Sequence, residues 1–245
     1  MDPAPRPLII IPCYNPGRNL PDTVALALAS SVPVWVVDDA STDGSPDRLR
    51  ETLGHPPSLR LLSRPQNGGK GAAVLTAAEE ALKEGYTHAL VLDADGQHPA
   101  GRIPEFLEAS RLNPKALVAG LPVFGPEAPR LRLYGRKLSI LMVWLELGGP
   151  RLKDPLFGFR VYPLAPLAKV MRSTRGGRRY DFDPEFGVRL GWAGVPIINL
   201  PAECRYIPRE EGGVSHFHYL RDNVRMVALH TRLILELLLI RWWRS

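Results

Sequence analysis

The chain has 245 residues, 45% hydrophobic and 23% charged, a balance that excludes a disordered or fibrous protein and allows one sizeable core. A formal net charge of +6 and a pI near 9.5 suit an anionic partner without choosing among nucleic acid, an acidic membrane face and a phosphorylated small molecule. Its two cysteines, Cys13 and Cys204, lie far apart without metal-ligand spacing, which fits free thiols in a reducing compartment.

The first apolar run, Leu8 to Ile11, stops at Pro12 and is too short for a signal-peptide core, so the expectation is a cytoplasmic protein. That run, "PLIII", is followed by "VPVWVVD" ending at Asp38, "LRLLS" ending at Ser63, "HALVLD" ending at Asp93 and "ALVAGLPV" ending at Val123. Each is short, rich in Val, Ile and Leu and bounded by turn residues, as strands are, and continuous apolarity implies burial on both faces. Between them the pattern predicts helices over Pro21 to Ser30, Ser45 to Leu53, Lys70 to Glu84 and Ile103 to Ser110. The third is clearest, with Ala, Leu and Glu closed by Gly85. Alternating strands and helices predict an α/β fold with a mainly parallel sheet flanked by helices.

The second half is less regular. A basic loop and helix, "PEAPRLRLYGRKLSI", precede "KDPLFGFRVYP", a basic turn "RGGRRY", a helix from Pro184 to Trp192 and a strand "VPIINLPAEC". The last element, about Phe217 to Trp243, reads as a long amphipathic helix with Arg221, Arg225, Arg232 and Glu236 along one side. The division expected is a domain over 1–215 and a terminal helix over 216–245. No stretch reaches the ~20 apolar residues of a spanning helix.

Parallel sheets bind ligands beyond the carboxyl ends of their strands, and the polar residues follow that rule. Tyr14 and Asn15 follow the first strand, Asp38 and Asp39 the second, "RPQNGGKG" the third and "DADGQH" the fourth. Asp93 and Asp95 pose an electrostatic question. Two carboxylates within ~4 Å repel by about 1 kcal/mol in water and about 4 kcal/mol at an effective dielectric near 20. A cation reverses that sign, and carboxylate oxygens with the amide oxygen of Gln97 suit Mg2+ or Mn2+ bridging to a diphosphate. The plainer reading, an Asx turn or helix cap, stays open for Asp93 and Asp95, as it does for Asp38 and Asp39; Asp43 reads as structural. In "NGGKG", the backbone N–H groups from Gly68 onward, with Lys70 beside them, could hold an anion; a plain loop with a solvated lysine is the equal alternative.

Taken in series, "IPCYNPG", "VVDDASTDGS", "NGGKGAA" and "VLDADGQHP" resemble the family 2 glycosyltransferases of the Rossmann-like GT-A fold, in particular enzymes that load sugars onto polyprenyl phosphates. The likeness runs from about Leu8 to Ser215. It implies that Pro12, Tyr14, Asn15 and Asp39 contact the nucleoside of a UDP- or GDP-type sugar donor, with Gly68 and Lys70 near its pyrophosphate. Asp93, Asp95 and Gln97 would hold Mg2+ or Mn2+, with Asp93 also counted among the nucleotide contacts and Asp95 as catalytic. The sequence departs from many relatives at "GGVSHF", where His216 replaces a lysine; a difference is also expected from those relatives that carry two or more C-terminal spanning helices.

The resemblance further implies an inverting transfer. A lipid-phosphate acceptor needs no general base, whereas a hydroxyl acceptor needs one, and Asp154 is then the candidate, with Asp183 and Glu185 behind it; a turn residue before Pro155 is the equal alternative for Asp154. Arg130, Arg132, Arg136 and Lys137 could hold an acceptor phosphate; a solvated helix face is the bland alternative. The terminal helix, with Trp242 and Trp243, fits peripheral contact at the inner face of a membrane, packing on the domain, or a homodimer contact. His216, His218 and His230 read as structural. A sugar-nucleotide pyrophosphorylase would show a glycine-rich N-terminal signature that is missing here, and a nucleic-acid binder would leave the acidic rim unexplained.

Overall fold

Alternate residues of the first strand face opposite layers, which explains its unbroken apolar run. Leu8 and Ile10 pack into one hydrophobic cluster, Ile9 and Ile11 into another on the far side of the sheet, and all four are fully buried. The structure, a computed structural model, describes residues 5–125, 130–205 and 219–244, without the side chains of 130–134, 219–220 and 240–244.

In chain order the elements are β1 (Pro7–Cys13), α1 (Leu20–Leu28), β2 (Val34–Asp38), α2 (Ser45–Leu53), β3 (Leu59–Ser63), α3 (Lys70–Lys83) and β4 (His88–Val91). A 3-10 turn at Ala100–Arg102 then leads into α4 (Ile103–Leu112), β5 (Leu117–Phe124), α5 (Arg130–Leu147), β6 (Arg160–Pro163), α6 (Leu164–Arg172), α7 (Phe182–Trp192), β7 (Ile197–Cys204) and α8 (Tyr219–Arg244). The seven strands form one sheet in the order β3-β2-β1-β4-β6-β5-β7. Every neighbouring pair is parallel except those of β6, which runs antiparallel to both β4 and β5. The fold is therefore the mainly parallel α/β sandwich that the apolar runs predict.

Helix α3 closes on the sheet through Ala73, Val74, Ala77, Ala78 and Ala81, small residues that let its axis approach β1 and β2. On the opposite face α1 and α4 bring Leu20, Val24 and Phe106. Helix α8 joins the first cluster through Leu229 and Leu233, and His230 Nδ1 lies 2.8 Å from Glu146 Oε1 of α5 in a buried pair. Its other side exposes Val224, Val227, Leu235, Leu238 and Leu239, and α5 exposes Leu138, Leu141 and Leu145. Thus the described helix packs on the domain along one face and leaves an apolar stripe along another. Among the described residues no helix is long and apolar enough to cross a membrane.

Two elements differ from expectation. "KDPLFGFRVYP" ends in a central strand, β6, and α6 follows it directly. The strand has only four residues, begins with a fully buried arginine and ends with proline, so it carries neither alternation nor an apolar run.

Candidate active site

Parallel pairing of β3, β2, β1 and β4 brings their four carboxyl ends to one rim. There the loops bind one another tightly. Asn15, at φ 46°, donates its N–H to Ser41 Oγ at 3.0 Å and accepts from Thr42 N at 2.7 Å. Asp43 takes the N–H groups of Gly17 and Ser45, both at 3.0 Å, so it is the structural clamp expected. Burial pushes its carboxyl up, but these bonds, the Ser45 hydroxyl and Arg48 outweigh it and hold the group below its ordinary value. Tyr14 is an exposed aromatic of this rim, and Pro12 lies within β1 opposite Val37. Both cysteines are free, and burial, with Asp38, Asp43 and Asp39 nearby, pushes the Cys13 thiol far up, which makes it inert.

The glycine-rich run corrects one expectation. Its N–H groups do hold an anion, but the anion is the chain's own Asp39. That buried carboxylate accepts from Gly68 N at 3.1 Å and Gly69 N at 2.6 Å, and pairs with Arg64. Beyond Lys70, the N–H groups of Gly71 and Ala72 go to the carbonyl of Arg178 at 2.9 and 3.4 Å. A Cβ at Gly71 would run into the Gly177 carbonyl, so only glycine allows this approach. The start of α3 is therefore capped from within, which leaves the Lys70 side chain as the group there that could meet an anion.

Lys70 Nζ sits 2.7 Å from Asp93 Oδ1 and 2.7 Å from Asp183 Oδ2. Burial works against its charge, but the carboxylates of Asp183 and Asp93 prevail and keep it protonated. Gly158 lies over this group: a Cβ there would strike Lys70 Nζ and come within 3.0 Å of Asp93 Oδ2 and 3.2 Å of Asp183 Oδ2. His98 completes the Asp93 environment, its Nδ1 accepting the Asp93 N–H at 3.0 Å and its ring edge-on to Phe157 at 4.8 Å. Asp93 is thereby held below its ordinary value despite burial, chiefly by Lys70 and then by His98. Asp95 goes the other way, pushed up by burial and then by the charge of Asp93.

An acid whose charge is disfavoured beside another carboxylate is a group that a cation would relieve. Among the described residues no three His, Cys, Asp or Glu side chains are grouped to enclose a metal. Two carboxylates and the neighbouring Gln97 amide instead fit an open site for Mg2+ or Mn2+, whose remaining positions come from water and phosphate oxygens. Among the described residues Asp95 Oδ1 accepts the Gln97 N–H at 3.0 Å.

Asp154 is not poised as a base. It is buried, with Oδ2 on Arg136 Nε at 2.5 Å and Oδ1 taking Arg136 Nη2 and the N–H groups of Leu156 and Phe157 at 2.9, 2.9 and 3.0 Å. These bonds occupy both oxygens, and those to Leu156 and Phe157 are the bonds of a turn residue. Arg136, also stacked 5.0 Å from the Phe124 ring centre, is thus a positioned cation, and Lys137 beside it is exposed. The side chains of Arg130, Arg132, Trp242 and Trp243, and the whole "GGVSHF" stretch with His216 and His218, lie outside the described residues. Glu185 is remote in role: fully buried, it pairs with Arg189 of its own helix and Arg232 of α8.

Arg160 and Asp183 carry more of the site than their sequence context suggests. The buried Arg160 guanidinium donates to the carbonyls of Phe157, Asp183, Asp154 and Pro155 at 2.9, 2.6, 3.3 and 2.7 Å. One side chain therefore ties the loop bearing Asp154 and Gly158 to the start of α7, where Asp183 meets Lys70.

The chain is 30% identical over 217 residues to the undecaprenyl-phosphate mannosyltransferase of Micrococcus luteus, covering 84% of this chain and 86% of that one. It is 29% identical over 205 residues to the polyprenol monophosphomannose synthase of Mycolicibacterium smegmatis, covering 81% and 77%. In structure it is similar to a glucosyl-3-phosphoglycerate synthase from Mycobacterium tuberculosis solved with Mn2+, UDP-glucose and phosphoglyceric acid, with a TM-score of 0.64, 18% identity and 95% and 79% coverage. It is likewise similar to a mannosyltransferase from Pyrobaculum calidifontis in complex with GDP-mannose and Mn2+, with a TM-score of 0.64, 19% identity and 96% and 65% coverage. These likenesses make the fold GT-A. Residues 8–167 match the family model described as glycosyl transferase family 2, and the chain is a glycosyltransferase that belongs to that family.

Proposed function

We propose that the protein moves a sugar from a UDP- or GDP-type donor onto a polyprenyl phosphate at a membrane surface, with inversion at the anomeric carbon and with Mg2+ or Mn2+. The observation that carries this reading is the pair Asp93 and Asp95 at the end of β4, one acid held charged by Lys70 and the other pushed toward its neutral form. A divalent ion held there by Asp93, Asp95 and Gln97 would supply positive charge to the departing nucleoside diphosphate. Lys70 keeps Asp93 aimed at the rim, and Tyr14, Pro12 and the loop around Asp39 offer a shelf for the nucleoside.

The state of Asp154 favours a phosphate acceptor over a hydroxyl. A phosphate oxygen is already anionic and requires no base, and here the candidate base is engaged in fixing Arg136. Arg136, with Lys137 and the arginines of the same helix, is then the acceptor's counter-charge. The exposed leucines of α5 and the apolar stripe of α8 support peripheral membrane contact beside that helix.

The test supplies labelled UDP- and GDP-sugars to the protein with polyprenyl-phosphate vesicles, in Mg2+ or Mn2+ and in EDTA, and follows label into the lipid extract. We expect metal-dependent transfer from one donor class. Donor turnover without any label in lipid would remove the lipid acceptor from the proposal, and equal transfer in EDTA would remove the metal.

Gly158 offers a sharper probe. In Gly158→Ala the methyl group meets Lys70 Nζ, which cannot swing aside without breaking an ion pair to Asp93 or Asp183. Displacements of about 1 Å at a reacting centre cost up to ~100-fold, so we expect kcat/KM for the donor to fall by about tenfold or more with the fold intact. A fully active Gly158→Ala enzyme would show that Lys70 need not hold this position.

A further inference from the structure

Between the 175–181 loop and α8 lies an open cavity of about 430 Å3. Its size lies within the roughly 300–1,000 Å3 of small-ligand pockets. Arg175, Arg178 and Arg179 enter it from the loop and Arg225 and Arg232 from α8, against one lining carboxylate, Asp181. That acid is engaged with the backbone, accepting the N–H groups of Gly177 and Arg179 at 2.9 Å each.

Four of the five guanidinium groups are positioned rather than loose. Arg178 Nη2 donates to the carbonyls of Met171 and Thr174 at 3.0 and 3.1 Å, while its Nη1 is buried with no hydrogen-bond partner among the described residues. Arg232 is held by Glu185 at 2.6 Å, Arg225 by Asp222 at 3.0 Å and Arg179 by Asn67 at 3.0 Å. A wall of like charges is costly, and an anion rich in acceptor oxygens relieves it.

We infer that this arginine-walled cavity between the 175–181 loop and α8 is a second anion site, which binds a phosphate-bearing ligand independently of the metal and nucleotide at the rim. The guanidinium fork matches phosphate geometry, and the wall shares no residue with Asp93, Asp95, Gln97 or Lys70. The two places are nonetheless joined by covalent backbone, since the Arg178 carbonyl caps α3 at Gly71 and Ala72, one residue on from Lys70. The phosphate can belong to a soluble molecule or to a lipid headgroup reached along α8.

Inorganic pyrophosphate titrated calorimetrically in EDTA tests the soluble source without engaging a metal at the rim. Sedimentation with phosphatidylglycerol and phosphatidylcholine vesicles tests the lipid source. The variants are Arg175→Gln with Arg225→Gln, and a control with the same charge loss at exposed sites outside the cavity, Arg111→Gln with Arg172→Gln. Loss of two charge-assisted contacts should weaken pyrophosphate about tenfold or more in the cavity variant and little in the control. The same contrast seen only with phosphatidylglycerol vesicles would assign the site to a headgroup. Arg175→Gln alone, at an exposed position, should show a smaller loss in the same direction if the double variant does not fold. Equal behaviour of cavity and control variants in both assays overturns the site, whatever the outcome for sugar transfer.

Discussion

Asp95→Asn should abolish metal-dependent binding of the nucleoside diphosphate while leaving the protein at least as stable as before. The two halves follow from one cause. Burial and the charge of Asp93 push the Asp95 carboxyl up, so its ionised form is a net cost to the fold at neutral pH. By linkage, a carboxyl raised in the folded state contributes stability below its ordinary value of 3.8, and that contribution is lost as pH rises through the raised folded value. An amide removes the repulsion but offers a metal one neutral oxygen in place of an anionic one. Metal charge at a developing oxyanion is worth several kcal/mol, so turnover should drop by on the order of 100-fold or more. The same raised acid means that protons compete with the metal above the ordinary carboxylate range, so wild-type nucleotide affinity should fall on acidification earlier than an exposed aspartate would require. Calorimetry with UDP and GDP in Mn2+ across pH, alongside thermal melts of the metal-free protein, checks all three. An Asp95→Asn protein that binds Mn2+ and nucleotide as wild type does would end the metal proposal.

What the sequence could reveal of this site followed from burial. Strands β1, β2 and β4 are enclosed on both faces and so are written as apolar runs, the edge strand β3 is half-buried, and the first polar residues beyond each run lie on the rim. That logic places Tyr14, Asp38, Asp39, Lys70, Asp93 and Asp95 in one region without any coordinates. It fails for partners brought in by the second half of the chain. The pairing of Lys70 with Asp183 spans 113 residues, and nothing local in "YDFDPEF" marks it. The Asp39 carboxylate in the glycine nest was hidden for a related reason: a run of N–H donors announces an anion, but not whether the chain supplies its own. Strand β6 was concealed by its arginine, because a charged residue argues for the surface until its partners are known. The one signal available was "GFR" between Asp154 and an apolar pair, a glycine and a charge where a turn alone would need neither.

That arginine also sets the largest stability effect we expect. In Arg160→Leu the cavity is filled with apolar volume, but the carbonyls of Phe157, Asp183, Asp154 and Pro155 lose their donor inside the protein. Hydrogen bonds to a charged donor contribute roughly 1.5–3 kcal/mol each, and breaking a buried charged network by removing one member costs about 3–5 kcal/mol. Against a typical total of roughly 5–15 kcal/mol, this is a large share of the stability. At about 2–4 °C per kcal/mol for a chain of this size, the melting temperature should fall by roughly 6–20 °C. Arg160→Lys keeps the charge but cannot span four carbonyls from one ammonium, so it should lie between wild type and Arg160→Leu. Because the same guanidinium ties the Asp154 and Gly158 loop to the start of α7, the lysine variant should lose donor turnover more than its melting temperature suggests: Lys70 would no longer be closed in from above by Gly158 or from the side by Asp183. Melts and steady-state kinetics on both variants separate these effects, and an Arg160→Leu protein that melts within about 2 °C of wild type with full turnover would show that the four carbonyls find donors elsewhere.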